Sequence, residues 1–396
     1  LCDFCALEPA RFGYEPLICR YAAWNFNRIR TCDVMGRSRS RAATGRRKAS
    51  ATIPAKREGP VDVTFVLAVT AALAFAFTNG FHDAANAIAT LVATRGASPR
   101  AAIALAAVFN MLGPLLLGTA VANTIATIVE VPAAQMVRVV GAALTAAVTW
   151  NLITWWRGLP SSSSHALVGG LIGAGVVEAG MEAINWGGIG GGHPDGVIGV
   201  FVALAISPIL GFGASWAMER GARRGLRRAT NRFNPLVLRL QWPVSALLAF
   251  THGANDAQKS VGVMAALLLA HGTTQSLSAP VWTKAACAAA ITAGTLLGGW
   301  SIIRTIGRRL FRIRPLDGLI SQTSSAAVIL SASLLGAPVS TTQVVASSVV
   351  GVGGGRRRYR HVGWKIAGSI MLAWITTLPA AAMLAALFVA PWRWLA

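Results

Sequence analysis

The 396-residue chain is 54% hydrophobic and 13% charged, about half the charge of a soluble globular domain. Apolar runs at 101–129, 281–303 and 366–390 each exceed the roughly 20 residues a helix needs to cross a bilayer, which makes the chain a polytopic membrane protein. The net charge of +22 does not point to nucleic acid: most of the 24 Lys and Arg after residue 60 sit in short loops between apolar segments, as in membrane proteins.

Residues 1–60 differ from the rest. They hold 12 Lys and Arg, including RSRSRAATGRRK at 37–48, with no spanning run and no signal-peptide hydrophobic region. They are expected to be a disordered basic tail, or sequence from upstream of the true start, which Leu1 in place of Met fits. Four of the five Cys precede residue 33, and Cys2 and Cys5 form a lone CxxC, so neither a disulfide framework nor a zinc site follows. Arg outnumbers Lys 31 to 5, the usage of a GC-rich bacterial genome.

Hydrophobicity then defines about ten segments: 61–94, 101–129, 133–156, 164–177, 196–217, 243–270, 281–303, 316–335, 339–355 and 366–390. The first and sixth carry polar motifs and are expected to be interrupted. The fourth and ninth are short, follow a Pro and are rich in Gly, Ser and Thr. Discontinuous helices or re-entrant hairpins are therefore expected, with 10–12 membrane elements in all. If each segment crosses once and the Arg-rich stretch 218–242 is cytoplasmic, 20 of the 24 basic residues fall inside, while Glu130, Glu178, Glu182 and Asp195 fall outside.

FTNGFHDAANA at 77–87 aligns without a gap with FTHGANDAQKS at 250–260. A second pair follows in each half, LPSSSSHALVGGLIGAG at 159–175 and APVSTTQVVASSVVGVG at 337–353. In the orientation above the first segment runs inward and the sixth outward, so the halves read as inverted repeats, 61–217 and 243–396, joined by a basic cytoplasmic loop at 218–242. Secondary transporters use this architecture and place their sites at the repeat interface.

The residue types suggest the chemistry. Asp83 and Asp256 supply carboxylates, Asn86 and Asn255 amides, and Ser162, Ser163, Ser340 and Thr341 hydroxyls at apparent helix starts. Free N–H groups and the positive dipole end make such starts cradles for small oxyanions. Carboxylates beside an anion require a cation or proton between them, and hard oxygen ligands suit a hard cation. Co-transport of an anion with a cation or proton follows.

NGFHDAANAIAT and THGANDAQKSVG resemble the paired signatures of the inorganic phosphate transporter (PiT) family, and PSSSSH and PVSTTQ look like its second pair. The resemblance covers residues 61–390. It implies uptake of inorganic phosphate by symport across the bacterial inner membrane, coupled to sodium or to protons, with some members thought to carry a metal–phosphate complex. It also implies that Asp83, Asn86, Asn255 and Asp256 are core site residues, with the Ser/Thr pairs lining the anion. Two positions depart from the fullest family motif: His82 stands before Asp83, and Lys259 stands three after Asp256 where the other half has Asn86. A buried ammonium can stand in for a bound cation, and imidazole titrates near neutrality. The expected coupling is therefore to protons, through His82, Asp83, Asp256 and Lys259; the alternative for Lys259 is that it snorkels to the interface.

No bound cofactor is expected; a proton, sodium or a divalent metal is the candidate co-transported species. Expected partners are inorganic phosphate and the lipid bilayer, with a homodimer left open. Competing readings are a sodium-coupled phosphate symporter, a sulfate permease of the same fold, and an intramembrane metal-dependent hydrolase using His82, Asp83, His165, His252 and Asp256. The hydrolase lacks an HExxH-like motif, and Ser161–Ser164 lack a nucleophile elbow.

Overall fold

A computed structural model of the chain describes residues 62–190, 193–228, 233–298, 303, 305, 310–356, 360 and 362–395; the expected tail at 1–60 lies outside them. Eleven α-helices are described: α1 Val63–Ala93, α2 Pro99–Leu116, α3 Ala120–Ala126, α4 Ala133–Trp156, α5 Ser163–Ala179, α6 Gly196–Gly225, α7 Asn234–Ala270, α8 Val281–Leu297, α9 Pro315–Leu334, α10 Thr341–Gly355 and α11 Trp364–Leu395. A 3-10 turn, Met181–Ala183, and a small antiparallel hairpin, β1 Ile189–Gly190 with β2 His193–Pro194, lie between α5 and α6. By length and composition α1, α2, α4, α6 and α11 can each cross a bilayer. Hydrocarbon offers no hydrogen bonds, so an apolar chain must satisfy its backbone within helices. The protein is an all-α, multi-pass membrane protein.

Helix starts are marked as the local chemistry requires. The Asp62 carboxylate accepts from the backbone N–H groups of Thr64 and Phe65 at 3.0 and 3.2 Å and caps α1. The Thr64 hydroxyl first, then these N–H groups, hold that carboxyl below the usual carboxylate range. Ser98 caps α2, with Pro99 at its first position.

Two sequence expectations are corrected. The motif segments are not interrupted: α1 and α7 run through FTNGFHDAANA and FTHGANDAQKS as single helices of 31 and 37 residues. Neighbouring side chains satisfy both motif carboxylates, so nothing forces the backbone to unwind there. The break falls in the second segment instead. Pro114 there supplies no backbone N–H, α2 stops at Leu116, and α3 begins at Ala120. The described residues of the basic stretch 218–242 are mostly helical, since α6 runs to Gly225 and α7 starts at Asn234.

The helices pack in exchanged pairs: α1 lies along α8 and α7 along α2, while α5 lies along α11 and α10 along α6. Backbones touch where these pairs cross. A Cβ on Gly80 would meet the Ile291 carbonyl, and one on Gly294 the Phe77 carbonyl. A Cβ on Gly253 would meet the Asn110 carbonyl, and one on Gly113 the Phe250 carbonyl. Small residues permit this approach in bilayers, where helix packing rests on close contact.

Two apolar cores leave a polar band between them. One gathers Ala68, Ala72 and Phe75 of α1 with Val263, Met264 and Leu267 of α7. The other gathers Ala85, Ile88 and Leu91 of α1 with Leu248 and Ala249 of α7. The motif residues 78–83 and 251–260 lie between these anchors on both helices. Ion pairs clasp the helix ends: Glu178 of α5 holds Arg138 of α4 at 2.7 Å and Arg393 of α11 at 2.8 Å, and Asp317 of α9 pairs with Arg356 just past α10.

Candidate functional site

Asp83, on α1, is 1% exposed and is surrounded by donors that need not be charged. Its Oδ2 accepts from Ser163 Oγ at 3.0 Å, and its Oδ1 from Thr342 Oγ1 at 2.7 Å and Asn86 Nδ2 at 3.1 Å. Asn86 Nδ2 also reaches Thr342 Oγ1 at 2.9 Å. His82 Nδ1 lies 3.2 Å from Asp83 Oδ1, and its Nε2 lies 3.3 Å from both Thr154 Oγ1 and Ser161 Oγ. The carboxylate is thus linked through one imidazole to a pair of hydroxyls.

Asp256, on α7, is treated differently. Its Oδ2 accepts from Thr341 Oγ1 at 2.9 Å and lies 3.0 Å from His252 Nε2, while its Oδ1 pairs with Lys259. Lys259 Nζ also donates to Ser164 Oγ at 2.6 Å and to the Val339 carbonyl at 3.0 Å. The steps from 252 to 256 to 259 keep all three side chains on one helix face. Lys259 is fully buried, so it does not snorkel to the interface.

The starts of α5 and α10 converge on this pair of carboxylates, and the Ser and Thr there divide their work. Ser162 and Ser340 accept from the backbone N–H groups of His165 and Gln343 at 3.3 and 3.4 Å, acting as N-caps. Ser163 and Thr341 turn their hydroxyls to Asp83 and Asp256. The helix dipoles therefore bring positive ends toward two buried negative groups.

Asn255 does not reach Asp256 by a hydrogen bond. It donates to Ser333 Oγ at 2.9 Å and toward the Ala337 carbonyl at 3.5 Å, fixing the strap into α10. In the other motif His82 meets Thr154 at the end of α4 in the same way. His165 Nδ1 sits 2.7 Å from Ser162 Oγ, a contact within its own turn.

Several buried polar atoms in the band have no partner: both amide atoms of Asn79, and Oδ1 of Asn86 and of Asn255. Such atoms are uncommon in a folded interior and mark places where a ligand or water belongs. Asp83, His252 and Asp256 each offer one ligand atom within 4.8 Å of the others, a donor set fit for a cation.

The structure gathers most of the residues singled out from sequence and adds Thr342, Ser164, Thr154, Ser161 and His252 as direct contacts. Thr342 and Ser164 were within reach of sequence reasoning, because the aligned PSSSSH and PVSTTQ stretches continue through them. Thr154 carried no periodic signal, whereas His252, named only in the hydrolase reading, stands four residues before Asp256 on one helix face.

A family model described as "Phosphate transporter family" matches residues 79–237 and 222–385. The chain belongs to the phosphate transporter family. This is a family of transporters and not of enzymes, so the resemblance carried by the paired motifs is borne out. Several relatives carry the name "Probable low-affinity inorganic phosphate transporter". The one from Bacillus subtilis (strain 168) is 41% identical over 326 residues, 81% of this chain and 95% of the relative. The one from Mycobacterium tuberculosis (strain ATCC 25618 / H37Rv) is 40% identical over 323 residues, 81% of this chain and 76% of the relative. A solved structure described as "The sodium-dependent phosphate transporter" shares the fold, with a TM-score of 0.74 at 24% identity, covering 84% of this chain and 99% of its own.

Proposed function

We propose that this family member imports inorganic phosphate across the bacterial inner membrane by proton symport, at a site between two inverted repeats, 61–217 and 243–396. The observation that carries the proposal is the Lys259 ammonium inside the carboxylate cage. It is bound by a carboxylate, a hydroxyl and a carbonyl, the ligand set a hard monovalent cation would take. A tethered cation there removes the need for a mobile one at Asp256. Asp83 keeps only neutral donors and a histidine, so its charge is the one left for an exchangeable species. The His82 link to Thr154 and Ser161 suits a proton in that role.

The exchanged packing of α1 on α8 and α7 on α2 supports the inverted repeat. In this reading phosphate is held by the starts of α5 and α10, with Ser162 and Ser340 shaping those turns, Ser163 and Thr341 offering hydroxyls, and Asn86 and Asn255 offering amides. The proximity of Asp83, His252 and Asp256 favours a second form of the substrate, phosphate accompanied by a divalent cation.

The test is labelled phosphate uptake into proteoliposomes with a proton or a sodium gradient imposed separately, and with unlabelled sulfate as competitor. Uptake driven by the proton gradient without sodium is expected. A strict sodium requirement would overturn the coupling, and transport of sulfate in place of phosphate would overturn the substrate.

A further inference from the structure

Below Asp83, α1 presents Asp83, Asn86, Thr90 and Thr94 at steps of three and four, one face of a helix. On α9, Gly318, Ser321, Gln322 and Ser325 follow the same rule. The two stripes meet at their ends: a Cβ on Gly318 would lie 3.0 Å from Thr94 Cγ2. The helices climb together from there, because both are tied to α7. Thr94 Oγ1 donates to Gln241 Oε1 at 2.7 Å and Ser245 Oγ to the Ala87 carbonyl at 2.8 Å, while Gln241 Nε2 donates to the Pro315 carbonyl at 2.7 Å. At the far end of α9, Ser333 receives Asn255. With about 1.5 Å of rise per residue on each helix, Thr90 comes level with Ser321 and Gln322, and Asn86 with Ser325.

This seam is buried but unsatisfied. Thr90 Oγ1, Ser321 Oγ, Ser325 Oγ, Asn86 Oδ1 and both amide atoms of Gln322 have no hydrogen-bond partner, and the five residues are at most 2% exposed. The choice is not forced by helix chemistry. Thr323, Ser324 and Ser333 of the same helix spend their hydroxyls on their own backbone carbonyls at 2.8, 3.1 and 2.8 Å. The opposite seam, beyond Lys259, is dry: Val263, Met264 and Leu267 of α7 pack in one apolar cluster with Ala142, Ala143, Leu144, Ala146 and Ala147 of α4.

We propose that the α1–α9 seam is a second phosphate station and the route between the carboxylate site and the end of the molecule carrying Arg95 and Arg314; the proposal rests on the phosphate-transport reading above. Beyond Asp83 the two stripes offer hydroxyls and amides and no charged side chain, so they can pass an oxyanion along without trapping it. Gln241, bridging Thr94 and the Pro315 carbonyl, closes the seam at its end. Exposed Arg95 and Arg314 flank that closure and favour an anion there.

The test is a cysteine comparison in proteoliposomes, in a full-length background with the five native cysteines replaced. Ser325→Cys and Thr90→Cys are treated, from each face in turn, with the anionic reagent sulfonatoethyl methanethiosulfonate. Ala146→Cys, in the dry cluster, is the comparator. The seam residues are expected to react about tenfold faster than Ala146→Cys, given the cost of bringing an anion to an apolar wall, and phosphate is expected to slow them. Uptake by Gln322→Leu adds a second readout: a lower maximal rate with an unchanged KM on the opposite face. Equal reaction at Ser325→Cys and Ala146→Cys overturns the seam, as does reaction that phosphate leaves unchanged in vesicles that still exchange phosphate. Wild-type vesicles that exchange no phosphate overturn the transport reading itself, whatever the labelling pattern.

Discussion

Asp83 and Asp256 hold matching places in two aligned motifs, on unbroken helices, between the same two apolar cores. Each accepts a hydroxyl from α10, Thr342 for one and Thr341 for the other. They part in what else faces them. Both face an imidazole, His82 for Asp83 and His252 for Asp256, but Asp256 also has an ammonium locked onto it by Ser164 and the Val339 carbonyl, whereas Asp83 has the Asn86 amide. A buried carboxylate with a fixed cation is a finished ion pair. One with only neutral donors still needs a counter-charge. On the proposed reading, the coupling of proton to phosphate therefore centres on the first half, and the second half supplies the fixed reference.

The largest effect is expected from Asp83→Asn, which keeps the shape and removes the uncompensated charge. Loss of two charge-assisted hydrogen bonds corresponds to about a 100-fold fall in uptake. Uptake surviving Asp83→Asn at wild-type rate would end the comparison. Lys259→Asn makes the second motif resemble the first. Proton-driven uptake should drop about tenfold. Sodium should then restore part of the transport and raise the melting temperature of the variant, but not of the wild type, because Asp256 would have lost its partner. A melting temperature indifferent to sodium would separate Lys259 from any cation site.

His82→Asn tests the other half of the contrast, giving α1 the residue that α7 has at Asn255. Proton-driven net uptake should fall severalfold while exchange of labelled for unlabelled phosphate persists, since exchange needs no proton release. Equal loss of both would make His82 a structural residue. The smallest effect probes where the halves are alike. Gly80→Ala and Gly253→Ala each press a methyl on a neighbouring carbonyl, and each should cost about 1–3 kcal/mol in thermal unfolding. Unequal costs would show that the two crossings are not equivalent.

Much of this was legible in the sequence for a physical reason. Charge at membrane depth is expensive, so Asp83, Asp256 and Lys259 stood out from apolar surroundings. The duplication paired Asp83 with Asp256 by position and set Lys259 opposite Asn86. The Ser and Thr that follow Pro160 and Pro338 marked the starts of α5 and α10 to within two residues. The interruptions expected in α1 and α7 were wrong because polar side chains do not by themselves unwind a helix when hydroxyls arrive from elsewhere. Thr154 was not legible as a contact, since only the tertiary packing brings α4 to the carboxylates, whereas the four-residue step from His252 to Asp256 was there to be read. Gln322 and Ser325 look like ordinary helix-facing polar residues until their missing partners are seen.

The hydrogen bond from Thr342 to Asp83 spans 259 residues of chain. During synthesis, α1 therefore enters the bilayer long before the hydroxyl that completes its carboxylate cage exists, with only Ser163 and its own Asn86 and His82 at hand. Contacts that distant in sequence form late. The first half must wait in the membrane with an unfinished charge, and the arrival of α10 is the step that turns two inserted halves into one working site.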